Sequence, residues 1–140
     1  MIPRYRAYDR EKDRMIYPST TGVCFELNDD GISVLDVDVD YPNDYGFPKI
    51  ASILMQSTGL KDKNGVEIFE GDVVAVENHP FQRKEDSGVG MEIEGNYVVG
   101  WNQHDLTWCA GDLLLARLKP YVKVIGNIYE NPELLEEEMR

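Results

Sequence analysis

Three aspartates stand at every second position in Asp36-Val37-Asp38-Val39-Asp40. Hard cations prefer carboxylate oxygens, so three carboxylates on one strand face could gather Mg²⁺ or Ca²⁺. The same D-x-D-x-D spacing opens a calcium-binding EF-hand loop. That loop needs Gly at its sixth position and Glu at its twelfth, where this chain has Tyr41 and Phe47;. An EF-hand is excluded, and the plainer reading of the aspartates is a solvated strand face or a protected sheet edge. Between Glu26 and Asp44 there are seven acidic residues and no Lys or Arg. Such a strip suits a basic partner, or serves only solubility.

Other chemistry is sparse. His79, His104, Cys24 and Cys109 lack the paired spacing of a zinc site;. Cys109 near His104 has no orienting third group, which a thiolate nucleophile needs. Both cysteines are expected as free, buried thiols, since a reducing compartment disfavours disulfides. Phosphate-loop, nucleophile-elbow and zinc-helix motifs do not occur;. No catalytic residue, metal or cofactor is assigned. Trp101, His104 and Trp108 cluster around the polar turn Asn102–Asp105. They either form an exposed aromatic hot spot for a partner or bury both tryptophans in the core.

The elements that must position these groups are mostly strands. Arg4 to Tyr8 alternate polar and apolar residues, Asp9 to Asp13 turn, and Met15 to Tyr17 return, which predicts a β-hairpin;. Val23 to Leu27 form another strand, ended by Asn28-Asp29-Asp30-Gly31. From Leu35 to Asp40 the alternation predicts a strand with Leu35, Val37 and Val39 on one face and the aspartates on the other. Residues 41–48 read as a loop. Asn64-Gly65 predicts a type I′ hairpin turn, in which both central residues have positive φ. Val66 to Phe69 and the apolar run Val73 to Val76 follow as strands. Residues 77–90 are expected to form a long, exposed, polar loop, and residues 91–101 resume strand character. Asp112 to Leu118 suit either a helical turn or a strand, and Val122 to Ile128 a strand broken at Gly126-Asn127. Asn131 as cap, Pro132 at the first helical position and Glu133 predict a short helix from about Pro132 to Met139.

Many short strands, glycine turns and one small terminal helix imply a mainly β fold, a compact barrel or barrel-like sheet. At 140 residues, 42% hydrophobic and 29% charged, the chain reads as one globular domain;. With 26 acidic against 14 basic side chains its net charge is −12. Phosphate neutralisation needs Lys and Arg, so direct nucleic-acid binding is not expected. The basic run Arg4, Arg6, Arg10, Lys12 and Arg14 is offset by Asp9, Glu11 and Asp13. No stretch reaches the roughly 20 apolar residues of a membrane helix, and the charged N-terminus has no signal-peptide pattern. The expected compartment is the cytoplasm, with no membrane association.

Three segments together resemble the YopX family: Ile2 to Asp9, Leu54 to Gly65 continuing through Ile68 to Val74, and Val124 to Leu135. The matches run in order along nearly the whole chain. The resemblance implies phage or prophage origin in a bacterial host, and self-association as a homo-oligomer. It also implies an SH3-like β-barrel at residues 51–140, with a β extension at residues 1–50. It implies no activity and supplies no site residues. The expected function is therefore non-enzymatic: a protein-binding or self-associating module whose acidic surface suits a basic partner. Two alternatives come from other classes, an acidic nucleic-acid mimic that binds a basic host protein and a metal-dependent enzyme using the aspartate strand.

Overall fold

Short apolar runs separated by Gly, Asn and Asp turns leave each strand too narrow to stand alone, so hairpins must stack into shared cores. The computed structural model describes residues 3–39, 46–84 and 88–135. The fold is mainly β, with an antiparallel sheet curled into a half-barrel. The chain divides into two compact units, Ile2–Gln56 and Ser57–Arg140.

In the first unit, β1 (Tyr5–Asp9) and β2 (Arg14–Ile16) form the expected hairpin, with Ala7 opposite Ile16. Asp9 closes its turn, accepting the backbone N–H groups of Glu11 and Lys12 at 3.0 and 3.3 Å. β3 (Val23–Asn28) and β4 (Gly31–Asp36) make a second ribbon. The first half of β5 (Ser52–Lys61) pairs with β1. Ala7, Ile16 and Val34 are the buried centre, with Val23, Phe25 and Ile50 against them.

Two expectations fail here. β4 ends at Asp36, so no strand carries all three aspartates. Directly opposed residues of an antiparallel pair share a face. Val23 opposes Asp36 and Phe25 opposes Val34, so the face bearing Asp36 is the one that packs inward. The Val37 N–H still bonds the Gly22 carbonyl in the β3–β4 register, but the Asp36 carboxylate accepts the Asp38 N–H at 3.0 Å, so the alternation from Leu35 to Val39 outlasts the ladder. An Asx turn has won over the ladder. Cys24, expected buried, is exposed.

In the second unit, the rest of β5 pairs with β6 (Glu67–Phe69), and β7 (Asp72–Val76) is buried throughout. β8 (Gly95–Asn102), β9 (Thr107–Ala110), β10 (Leu113–Leu114) and β11 (Val122–Asn127) complete a sheet of order β10-β9-β8-β7-β11. The ambiguous Asp112–Leu118 segment is both things in turn, β10 and then the single-turn helix α1 (Leu115–Leu118). Leu115 and Leu118 drop into a core with Ile68, Val74, Val99 and Val122.

The turn between β5 and β6 is not type I′. Only Gly65 has positive φ, +83°, and Asn64 does not. Gly65 N–H donates to the Asp62 carbonyl and Asp62 N–H to the Val66 carbonyl, which encloses the three residues Lys63-Asn64-Gly65;. Asp62 decides this geometry. Its buried carboxylate accepts the N–H groups of Asn64, Val66 and Val124 at 2.8, 2.9 and 2.9 Å. The expected break at Gly126-Asn127 does not occur, since both residues pair with β7; the irregularity is a register shift between Val124 and Gly126;. A Cβ at Gly126 would run into the Asn131 amide and lie 3.0 Å from a Leu134 methyl. The last described element is a short 3₁₀ helix, Pro132–Leu135. Asn131 does not cap it; its side-chain oxygen reaches back to the Asn127 N–H at 3.1 Å. Residues beyond Leu135 of the expected helix lie outside the described residues.

Candidate functional site

The sequence-predicted aromatic cluster is brought together in part. Trp101 on β8 is paired directly with Trp108 on β9. Their rings meet edge to face, centroids 5.2 Å apart and planes at 73°, an arrangement worth about 0.5–1.5 kcal/mol beyond burial. Neither alternative for the pair holds for both rings. Trp101 is 46% exposed and donates its indole N–H to Gln103 Oε1, whereas Trp108 packs against the core. The loop between them is fixed by Asn102, whose oxygen accepts the His104 and Asp105 N–H groups at 2.9 and 3.0 Å. His104 is exposed at its tip.

The aspartates belong to the other unit. Asp36 and Asp38 serve the turn described above, and Asp38 lies against Gly22. Asp40 lies outside the described residues. Among the described residues no three His, Cys, Asp or Glu side chains gather as a metal-binding group. Cys109 is buried beside Trp108.

A second surface carries more apolar area and was not foreseen. In the Ser57–Arg140 unit a groove of about 500 Å³ is lined by His79, Pro80, Phe81, Met91, Ile93, Asp112, Leu113, Leu114, Arg117, Leu118 and Tyr121. One wall comes from β10 and the α1 turn, which face core-ward with Leu115 and Leu118 and leave Leu114 40% exposed. The other wall comes from the described parts of the segment read as a polar loop, residues 77–84 and 88–90, and from Met91 and Ile93, and backbone bonds tie these parts together. Glu77 N–H donates to the Tyr121 carbonyl, Met91 N–H to the Phe81 carbonyl and Arg83 N–H to the Met91 carbonyl. Gln82 staples the two limbs, its Oε1 accepting the N–H groups of Ile93 and Glu94 at 2.8 and 2.6 Å. His79 packs on Tyr121 and Phe81, with ring centroids 4.8 and 5.7 Å away, and its Nδ1 accepts the Phe81 N–H at 3.1 Å. These bonds hold Phe81 and Met91 outward, 68% and 61% exposed. Two large apolar side chains are thereby kept in solvent beside the groove. The missed signal was Phe81 and Val89, apolar residues inside an otherwise polar segment, with Met91 directly after it.

Electrostatics at the foot of this loop are local. Glu77 lies 3.1 Å from both Lys63 Nζ and Lys123 Nζ. Its carboxyl is held below the ordinary 4.5, first by the hydrogen bond from Lys63 and then by that from Lys123.

By fold, then, this is a small mainly β protein with a curled antiparallel sheet. It belongs to the YopX family, whose family model, described as YopX protein, matches residues 4–136. The crystal structure of protein EF1440 from Enterococcus faecalis is similar at 26% identity and a TM-score of 0.59, covering 96% of this chain and 99% of that one. The crystal structure of protein yopX from Bacillus subtilis shares the fold at 19% identity and a TM-score of 0.57, covering 96% of each chain. No curated protein matches this chain. No helix among the described residues is long and apolar enough to cross a membrane.

Proposed function

We propose that this chain is a non-enzymatic accessory protein of phage or prophage origin that works in the bacterial cytoplasm by binding protein partners, itself included. Its second unit is taken as an SH3-like barrel, a fold that commonly recognises ligands in aromatic-lined grooves between loops. The observation that carries the reading is the groove between the Gln82-stapled loop and α1, where Phe81, Met91 and Leu114 stay exposed although burying them would be favourable;. Trp101 offers a further contact surface on β8.

Capture from host lysate on the immobilised full chain tests this, run beside the Met91→Asp and Leu114→Asp variants. Discrete proteins retained by the parent chain and lost from both variants are the expected outcome. Equal retention by all three would overturn the groove as the working surface. Enrichment of DNA-binding proteins, released by high salt and indifferent to both substitutions, would favour the acidic-mimic alternative. Sedimentation of the parent chain at high micromolar concentration checks self-association, and a strict monomer removes that part of the reading.

A further inference from the structure

We infer that the groove takes a short peptide segment with a bulky apolar anchor and a Lys or Arg placed to meet Asp112. This rests on the reading of the groove as a docking site and specifies its occupant. Phe81, Met91, Ile93, Leu113, Leu114 and Leu118 give the floor and walls an apolar character, and about 300–1,000 Å³ is the usual size of a cleft that encloses a ligand. The flexible thioether of Met91 lets such a wall adapt to differently shaped anchors. The polar groups of the lining are few, and Asp112 is an exposed carboxylate among them.

The sign of the partner follows from charge complementarity. The whole chain carries −12, so its field attracts cationic segments and repels anionic ones before contact. Arg117 lines the same groove. A segment basic on every side would meet that like charge, so the flank beside Arg117 is neutral or acidic and orientation is set. A second copy of this chain would bring a net charge of −12 to the groove, and is the rival occupant that the test separates from a cationic peptide.

The test uses the isotope-labelled full chain and three synthetic peptides followed by NMR titration. One peptide has a Phe-Leu core with lysine on one flank, the second has the same core with glutamate there, and the third keeps the lysine but replaces the core with serines. The expected result is at least about tenfold tighter binding of the first peptide than of the other two, with shifts concentrated at Phe81, Met91 and Leu114. Asp112→Asn, a change of charge without a change of shape, should narrow the lysine-over-glutamate preference. Leu114→Asp, at an exposed position, should abolish binding of both core-bearing peptides. Equal binding of the glutamate peptide in the groove would overturn the cationic partner while leaving the docking site standing. A match by the coreless peptide would reduce the effect to diffuse attraction and overturn the inference. Failure of all three to shift groove resonances would overturn both readings. Concentration-dependent broadening there without peptide would assign the groove to a second copy, and overturn the inference too.

Discussion

At the scale of single residues, buried carboxylates in this protein serve the backbone. Asp62 accepts three main-chain N–H groups in the second unit, two from its own turn and one from β11. Hydrogen bonds to a charged group contribute about 1.5–3 kcal/mol each in favourable cases. Asp62→Ala is expected to lower stability by at least about 3 kcal/mol in urea denaturation, leaving three donors to find other partners. Asp62→Asn should fall between, because its NH₂ faces either the Val124 N–H or both the Asn64 and Val66 N–H groups, which share one oxygen. Glu77 is the surface contrast. Its carboxyl titrates below 4.5 in the folded chain because of Lys63 and Lys123. A depressed folded value stabilises above the unfolded one, and that contribution is lost as pH falls through the folded value. Glu77→Gln should therefore lower the melting temperature slightly at pH 7, and the difference should vanish once the pH is well below 4.5. A difference that persists in acid would mean the pair contributes by packing rather than charge.

At the scale of elements, glycine decides where the groove wall runs. Gly90 has φ +110°, and a Cβ there would come within 2.9 Å of the Arg83 Cα and the Phe81 carbonyl oxygen. Gly90→Ala is expected to cost about 1–3 kcal/mol of local strain, released by opening the loop rather than by unfolding the sheet. Amide exchange should rise at Gln82, Arg83 and Met91 while β7 stays protected; unchanged exchange in the loop would show that the wall does not depend on this close approach. Strand positions were legible from the alternation of Arg4–Tyr8 and from the short apolar-rich runs Val23–Leu27 and Tyr97–Trp101, and the closed apolar run Val73–Val76 is buried as read. The Asn64-Gly65 hairpin was legible in place but not in type, since Asp62 adds a constraint from β11 that local propensity does not contain. The aspartate strand misled for the opposite reason. Alternation is informative only while the ladder lasts, and here it stops after Val37, where the Asp36 carboxylate takes the Asp38 N–H. The groove was hidden because Gln82, His79 and Tyr121 meet only after folding.

At the scale of the molecule, the two units have separate hydrophobic centres of unequal size. That of Ile2–Gln56 is built on Ala7, Ile16 and Val34, whereas that of Ser57–Arg140 holds Ile68, Val74, Tyr97, Leu115, Leu118 and Val122 among others. Local opening follows the amount of apolar contact. Native-state hydrogen exchange should release the amides of β2, β3 and β4 well before those of β7 and β8. Uniform protection across all of them would mean that the chain opens as one cooperative body.

The Asn64-Gly65 pair also has a chemical consequence over time. Asn-Gly ages when the glycine nitrogen attacks the preceding side-chain amide, expels ammonia and forms a succinimide. In the folded chain that nitrogen donates its hydrogen to the Asp62 carbonyl at 3.0 Å, which restrains it from the attack. Deamidation at this site therefore runs with the opened fraction of the hairpin, and the mass gained on storage becomes a slow clock for how often this turn lets go.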